Sequence, residues 1–167
     1  MTAETVWQGK YITVQKDGTW EYVDRAAGLG AAVVIAVTDD DELILISEPR
    51  VPLGCDCLGF PAGIVGDEDA GEAPADSARR ELEEETGWRA ERMERIGEFA
   101  SSPGLTSESF TLFRAHDLMK VGKGGGVDGE EITVHLVPRA TAPAFIEEAR
   151  ATGMAIDVKL IACLRLL

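Results

Sequence analysis

The sequence predicts an α+β fold, because strand and helix patterns follow one another without the regular order of βαβ units. Segments 10–15 and 19–24 alternate apolar and polar residues around the turn sequence KDG, which is a good hairpin signal. The continuous apolar run 31–38 indicates a strand buried on both faces, and a further strand is predicted at 43–48. A mixed sheet with an N-terminal antiparallel β-hairpin is therefore expected.

The rest of the chain contains one strong helix signal and several shorter segments. Pro74 suits the first turn of a helix, and Gly87 is typical of the residue just past a helix end. A loop with several prolines and glycines is expected before this helix, at 49–74, and a mobile glycine-rich segment at 120–131. The remaining predictions are strands at 94–101, 109–115 and 131–137 and helices at 142–151 and 156–166.

The chain is strongly acidic. Its 167 residues include 16 Lys and Arg against 30 Asp and Glu, which gives a formal net charge of −14. This balance argues against nucleic acid as a partner, because phosphate backbones attract basic side chains. The sequence has no signal-peptide pattern and no run of roughly 18 apolar residues, so a cytoplasmic protein without a membrane partner is expected. Three cysteines and only two histidines favour reduced thiols over a disulfide framework or a zinc site.

Four glutamates crowd a short part of the predicted helix: Glu81, Glu83, Glu84 and Glu85. Like charges three or four residues apart destabilise an isolated helix by roughly 0.2–0.5 kcal/mol per pair. Arg80 lies four residues before Glu84 and offsets part of this repulsion. A glutamate-rich face is usually a solvated one. A bound cation would also explain the crowding, since Mg²⁺ prefers carboxylate, carbonyl and water oxygens.

The spacing of residues from Gly66 to Trp88 resembles the Nudix box, G-x5-E-x7-R-E-U-x-E-E-x-G-U, in which U is a bulky apolar residue. Nine specified positions over 23 residues match this pattern. The resemblance implies the Nudix fold, a mixed β-sheet in an α/β/α sandwich. In many Nudix proteins the first glycine follows Pro-Ala, which here selects Gly63 and a three-residue insertion. Either glycine fits the first position of the box.

The resemblance also implies a metal site and a reaction. Nudix enzymes hydrolyse a nucleoside diphosphate linked to another moiety, and divalent ions neutralise the diphosphate, orient it and lower the pKa of water. The implied cofactor is Mg²⁺, or Mn²⁺ in its place. The implied metal ligands are the backbone carbonyl of Ala62 and the carboxylates of Glu81, Glu84 and Glu85. The residues expected to support the box are Gly63, Gly66, Glu72, Arg80 and Gly87.

Three segments outside the box resemble the branch that cleaves ADP-ribose or nucleoside diphosphate sugars to a nucleoside monophosphate and a sugar phosphate. Residues 47–54, SEPRVPLG, are similar to its EQYR-x-P segment and imply that Arg50 binds substrate. Residues 101–108, SSPGLTSE, are similar to its SPGxxxE segment and imply substrate contacts from Pro103 and Glu108. The open alternatives are dinucleoside polyphosphates, noncanonical nucleotides, or a Nudix module that binds nucleotides without turnover.

The third segment, 127–138, resembles the loop that delivers a catalytic carboxylate in that branch. A glycine-rich loop can close over a bound substrate and bring a general base to the attacking water. Asp128, Glu130 and Glu131 are the candidates. We predict Glu130 first and Glu131 second, acting together with Glu85. The alternative is an exposed acidic hairpin tip.

Two parts of the chain are expected to differ in role. Residues 1–29 form an N-terminal hairpin, and residues 30–167 form the Nudix hydrolase domain. In the branch that the sequence resembles, an N-terminal sheet commonly helps to form a homodimer. The expected partners are therefore a small nucleotide-sugar substrate and a second copy of the chain. Trp20 and Tyr22 can stack on a base there, or only pack within that sheet.

Overall fold

The computed structural model describes residues 3–25, 30–66, 71–127 and 129–166. Within these ranges there are eleven strands and three α-helices, numbered along the chain. None of the helices in these ranges has the length and apolar composition that a bilayer-spanning helix requires. The helices are α1 (Pro74–Thr86), α2 (Ala142–Ala151) and α3 (Val158–Cys163). The strands are β1 (Glu4–Gln8), β2 (Ile12–Asp17), β3 (Trp20–Arg25), β4 (Ala31–Ala36), β5 (Glu42–Arg50), β6 (Cys55–Gly59), β7 (Ala62–Ile64), β8 (Trp88–Ala100), β9 (Ser109–Lys120), β10 (Thr133–Pro138) and β11 (Ala155–Ile156).

The first three strands form an antiparallel sheet in the order β1-β2-β3. Strands β2 and β3 are the predicted hairpin, in which Asp17 pairs with Trp20 next to the turn. Gly18 in that turn has a φ of 61°, a left-handed conformation that glycine adopts without steric penalty. The sequence pattern does not predict β1, because its residues are all exposed and show no alternation between a buried and a solvated face.

The other eight strands form two four-stranded sheets. One has the order β7-β4-β9-β8 and the other β10-β5-β6-β11. Each sheet combines antiparallel pairs with one parallel pair, β4 with β9 and β6 with β11. The predicted α+β class, with a mixed sheet and an N-terminal antiparallel hairpin, is confirmed.

Helices cover both faces of the central strands. Alternate side chains of β4 point to opposite faces, which explains why its apolar run is buried almost throughout. On one face Leu82 of α1 packs in a cluster with Val34. On the other face Ile146 of α2 and Leu160 of α3 pack in a cluster with Val33. The layers are those of a helix–sheet–helix sandwich.

Two strands lie in the segment 49–74, which the sequence pattern assigns to a loop. Strand β6 pairs with β5, and β7 pairs with β4. Both strands are short, so pairing with neighbours rather than local pattern defines them. The helix predicted at 156–166 begins later, as α3, because Ala155 and Ile156 pair with β6 as strand β11. The helix predicted at 142–151 coincides with α2.

Candidate active site

The predicted metal carboxylates lie on α1, and Glu81 and Glu85 contact residues of β7. Glu85 is only 5% exposed, and its Oε2 accepts a hydrogen bond of 3.0 Å from the backbone N–H of Ala62. Burial raises the pKa of Glu85 to about 9, although the hydrogen bond from Ala62 acts in the opposite direction. The charges of Glu81, Glu48 and Glu130 add to the increase. A cation at this position would restore the ionised form of Glu85.

Arg80 joins several glutamates into one network. Its Nε and Nη2 donate to the two carboxylate oxygens of Glu72 at 3.2 and 3.3 Å. Its Nη1 lies 3.0 Å from Glu81 Oε1 and 3.1 Å from Glu84 Oε2. Burial works to lower the pKa of Arg80, but the hydrogen bonds and charges of these carboxylates outweigh it and raise the pKa. Since one guanidinium faces three carboxylates, the network keeps an excess of negative charge.

The candidate box glycines have different structural roles. Gly63 lies against Glu81, because a Cβ at position 63 would be only 2.0 Å from Glu81 Cδ. Gly66 instead has a φ of 80° in the turn after β7, which favours glycine for its backbone conformation. Both therefore stay candidates for the first box position. Gly87, with a φ of 70°, caps α1 by donating its N–H to the carbonyl of Glu83 at 2.8 Å.

Arg50 is paired with an acidic residue that the sequence motifs do not single out. Its Nη2 lies 2.6 Å from Oε1 of Glu48, two residues earlier in β5. Side chains two residues apart in a strand share a face, which is a local signal for this pair. Burial raises the pKa of Glu48, while Arg50 lowers it and Glu130 raises it. Glu48 therefore belongs to the same electrostatic cluster as the carboxylates of α1.

The structure links one of the predicted loop carboxylates to this cluster. Glu130 Oε2 accepts a hydrogen bond of 3.0 Å from the backbone N–H of Val127. The charge of Glu130 contributes to the raised pKa of Glu85. Glu130 and Glu131 are both exposed, and Asp128 lies outside the described residues.

The glycine-rich segment that precedes Glu130 binds the C-terminal end of α1. The backbone N–H groups of Gly125 and Gly126 donate to the carbonyls of Glu85 and Glu84 at 2.8 and 3.1 Å. The last carbonyls of a helix have no partner within the helix, so these donors satisfy groups that would otherwise need water. The segment predicted to be mobile is thus tied at one end to the helix that carries the candidate metal ligands.

A cavity of about 540 Å³ lies beside Ala62 and Gly63. Three cations among the described residues line it, and each is paired with a carboxylate. In a chain with a net charge of −14, such a group of cations marks the cavity as suited to a polar or anionic ligand. The pairs are Arg25 with Glu108, Arg50 with Glu48, and Lys159 with Asp157.

The sequence motifs predict only some of the residues that line this cavity. Arg50 and Glu108 are predicted site residues, and the fold brings both to its wall. Arg25, Asp157 and Lys159 were missed, because they belong to no motif and only the tertiary fold brings them to Arg50.

Pro103 lines a different cavity, of about 490 Å³. Trp20 and Tyr22 of β3 line the same cavity. Aromatic faces next to an open cavity suit a flat heterocycle. The fold thus separates Pro103 from the other two residues of the predicted substrate set.

The donor set suits a hard divalent cation. Glu81, Glu84 and Glu85 supply carboxylate oxygens, which such ions prefer. Among the residues that the structure describes, no three acidic, His or Cys side chains already form a cage for an ion. Glu81 and Glu84 instead contact Arg80, so cation binding would require some of these carboxylates to turn away from it.

A family profile described as the NUDIX domain matches residues 28–153 of this chain. The match covers the box helix, both four-stranded sheets up to β10, and α2.

Three curated proteins illustrate the similarity. The methanol dehydrogenase activator of Bacillus methanolicus is 34% identical over 134 residues, which cover 77% of this chain and 71% of that protein. The ADP-ribose pyrophosphatase of Bacillus subtilis is 37% identical over 102 residues, which cover 61% of this chain and 54% of that protein. The GDP-mannose pyrophosphatase of Cronobacter sakazakii is 33% identical over 166 residues, which cover 93% of this chain and 83% of that protein.

A crystal structure described as an ADP compounds hydrolase has the same fold. It superposes with a TM-score of 0.76 and 24% sequence identity, and the match covers 99% of this chain and 89% of that one. The shared fold therefore includes the N-terminal sheet as well as the sandwich.

Proposed function

Because this chain belongs to the Nudix family, we propose that it is a metal-dependent pyrophosphohydrolase of ADP-ribose or a related nucleoside diphosphate sugar. The products are a nucleoside monophosphate and a sugar phosphate. The predictions of the family and of a Nudix pyrophosphatase are confirmed by the profile match and by the named relatives. The substrate is our inference, supported by two relatives that are named as pyrophosphatases of nucleotide sugars.

One observation carries the proposal: a buried carboxylate beside a cation-lined cavity. Glu85 is 5% exposed and has a pKa raised to about 9, mainly by burial. Ala62, which donates a hydrogen bond to it, also lines the 540 Å³ cavity. A buried carboxylic acid with a raised pKa therefore adjoins a space large enough for a small polar ligand.

Nudix hydrolases generally use divalent ions, and the residues here fit one. Glu81, Glu84, Glu85 and the carbonyl of Ala62 would hold it. When bound, the ion supplies charge neutralisation of the diphosphate and a lowered pKa for water. We take Mg²⁺ as the ion, with Mn²⁺ as the substitute.

The chain's own side chains supply the remaining steps. Arg80 orients Glu81 and Glu84 of α1 through charge-assisted contacts until a cation binds. Arg50 binds the diphosphate or its sugar from the cavity wall. Glu130 accepts the proton of the attacking water, with Glu131 as second candidate. The new bond joins the water oxygen to phosphorus, and the bond from phosphorus to the bridging oxygen breaks.

A substrate panel tests this function. ADP-ribose, GDP-mannose, UDP-glucose, a diadenosine polyphosphate and nucleoside triphosphates are incubated with Mg²⁺ and then Mn²⁺, and products are separated by chromatography. Fastest cleavage of ADP-ribose to AMP and ribose 5-phosphate is expected. If only triphosphates or dinucleotides are cleaved, the protein is still a hydrolase, but the proposed substrate class is wrong.

Three further expectations stay predictions. They are the homodimer, the division into residues 1–29 and 30–167, and the cytoplasmic location. Sedimentation equilibrium of the purified chain tests the first, and deletion of residues 1–29 followed by the same measurement tests the second. A monomeric full-length chain would contradict the dimer.

A further inference from the structure

Asp157 and Lys159 form a preformed pair on the wall of the 540 Å³ cavity. Lys159 Nζ lies 2.5 Å from Asp157 Oδ2, and the backbone N–H of Lys159 donates to Asp157 Oδ1 at 2.8 Å. The two side chains are 25% and 26% exposed. The pair is therefore held in place and is still accessible to a ligand in the cavity.

The surroundings fix the positions of these two side chains. The backbone N–H of Asp157 donates to the carbonyl of Leu58 at 2.9 Å. Asp157 Cβ lies close over Gly59, where an added Cβ would be 3.4 Å away. Lys159 Nζ lies 5.6 Å from the centroid of the Phe110 ring, within the range of a cation–π contact. Neither the donor nor the acceptor needs to be ordered by a ligand.

A fixed donor beside a fixed acceptor recognises a hydroxyl group better than it recognises an anion. A hydroxyl can donate to the carboxylate of Asp157 and accept from the ammonium of Lys159. A phosphate group is mainly an acceptor, and the charge of Asp157 would repel it. Neighbouring hydroxyl groups, such as those of a sugar, are therefore the chemistry that matches this pair.

The same cavity connects the pair to the candidate metal carboxylates. Ala62 and Gly63 line it, and these two residues contact Glu85 and Glu81. A diphosphate held at α1 can therefore extend one of its two substituents along the cavity wall.

The heterocyclic base of the nucleoside is better suited to the other cavity than to this one. Trp20 and Tyr22 line the separate cavity of about 490 Å³, where aromatic faces are available for stacking. If the base stacks on these rings, the substituent that enters the 540 Å³ cavity is the sugar on the other side of the diphosphate.

We propose that Asp157 and Lys159 bind hydroxyl groups of the sugar that the diphosphate links to the nucleoside. They thereby set the preference of the enzyme for nucleotide sugars. This inference rests on the proposed hydrolysis of nucleoside diphosphate derivatives and adds two specificity-determining residues from the C-terminal part of the chain.

The test compares ADP-ribose with the ethyl ester of ADP, which carries the same diphosphate but no terminal sugar. The variants are Asp157→Asn and Lys159→Met. Asn is chosen because it still caps the start of α3, as Asp157 does. Each variant is expected to lower the ratio of kcat/KM for ADP-ribose to kcat/KM for the ethyl ester by about tenfold. The ethyl ester itself should change by less than about twofold.

Matched controls are Glu147→Gln and Arg150→Met, which remove charges of the same sign from an exposed pair 3.5 Å apart on α2. They are expected to leave the ratio unchanged. Equal losses on both substrates in the cavity variants would mean a structural role and would overturn the proposal. A changed preference between ADP-ribose and GDP-ribose, with no change in the sugar ratio, would assign the pair to the base and also overturn it.

The failure of this inference can be told apart from failure of the proposed function. If the wild-type enzyme cleaves ADP-ribose and the ethyl ester of ADP with equal kcat/KM, the proposed hydrolase activity is supported and the sugar-binding role is wrong. If the wild-type enzyme cleaves neither these two compounds nor any nucleotide sugar of the substrate panel, the proposed function fails. Equilibrium binding of both ligands in a chelator then tests the pair directly, and unchanged ADP-ribose affinity in both variants would overturn it.

Discussion

The two flanks of α1 both carry glutamates, but their surroundings differ. On the outer flank Glu83 accepts two hydrogen bonds of 2.7 Å from Arg89, and both side chains are exposed. On the inner flank Glu85 is buried against β7, and its acidic neighbours share one arginine, Arg80. The hydrogen bond from Arg89 lowers the pKa of Glu83, whereas burial raises the pKa of Glu85 to about 9.

This difference separates two explanations of a glutamate-rich helix. The outer flank is a solvated face with each charge paired, and such pairs contribute little to stability. The inner flank holds more carboxylates than cations in a poorly solvated place, where ionised groups need a compensating charge. Residues two positions apart on one helix therefore have different roles, and the following substitutions test that contrast.

The largest expected effect is on activity. Glu85→Gln should reduce kcat on the order of 100-fold or more, because the proposed ligand and its charge are lost. The free energy of unfolding of the metal-free protein should not fall, since a buried carboxylate is replaced by a neutral group of similar shape. Glu83→Gln is the matched control and should retain activity. Steady-state kinetics measures kcat of both variants, and urea unfolding measures their free energy of unfolding. If Glu85→Gln has wild-type turnover, the assignment of Glu85 as a metal ligand is wrong.

The next contrast is between the two arginines. Arg80→Met leaves the carboxylates of Glu72, Glu81 and Glu84 without their shared cation, and we expect a loss of about 1–3 kcal/mol in unfolding free energy. Arg89→Met removes an exposed pair and should change the unfolding midpoint little. Added Mg²⁺ should recover part of the stability of Arg80→Met, because the freed carboxylates gain a cation. Equal unfolding midpoints for the two variants would contradict the contrast.

The third contrast is in pH dependence. The folded-state pKa of Glu85 is raised from 4.5 to about 9, so between these values the metal-free folded protein holds a proton that the unfolded chain releases. Stability is therefore fully present below pH 4.5 and falls as the pH rises toward 9, by up to about 1.4 kcal/mol per pH unit from this group. Urea unfolding in a chelator across this range should give a steeper decline for the wild type than for Glu85→Gln. Parallel curves would show that Glu85 titrates normally.

The sequence predicts features that depend on local residue spacing, but it does not predict features that depend on contacts between distant segments of the chain. Pro74 and Gly87 are helix start and stop signals, so the bounds of α1 could be predicted, and the resemblance to the Nudix box identifies the glutamates on this helix. The pair of Asp157 and Lys159 could not, because only the pairing of β11 with β6 brings this segment to the cavity. Strands β6 and β7 were missed for the same reason, since their neighbours define them.

The contact of Gly63 with Glu81 is another tertiary contact that the sequence does not predict. The Pro-Ala-Gly resemblance selects Gly63 as a residue, but it does not explain why glycine is needed. The structure adds a tertiary contact, in which a Cβ would overlap the Glu81 side chain and displace it. Glycine thus gives space for Glu81 at position 63 and a left-handed backbone conformation at position 66.

The last contrast concerns the end of α1, where the inner flank meets the glycine-rich segment. Gly124 has a φ of 71°, and a Cβ there would lie 2.4 Å from the backbone C of Thr86, which cannot move aside. Gly124→Ala should therefore lower the unfolding free energy by about 1–3 kcal/mol. It should also speed hydrogen exchange of the Gly125 N–H, which donates to the carbonyl of Glu85. Gly122→Ala is the control, because its nearest contact would be Gly87 Cα at 3.8 Å. If both variants exchange at the wild-type rate, the segment is not anchored to the helix, and Glu130 needs another means of positioning.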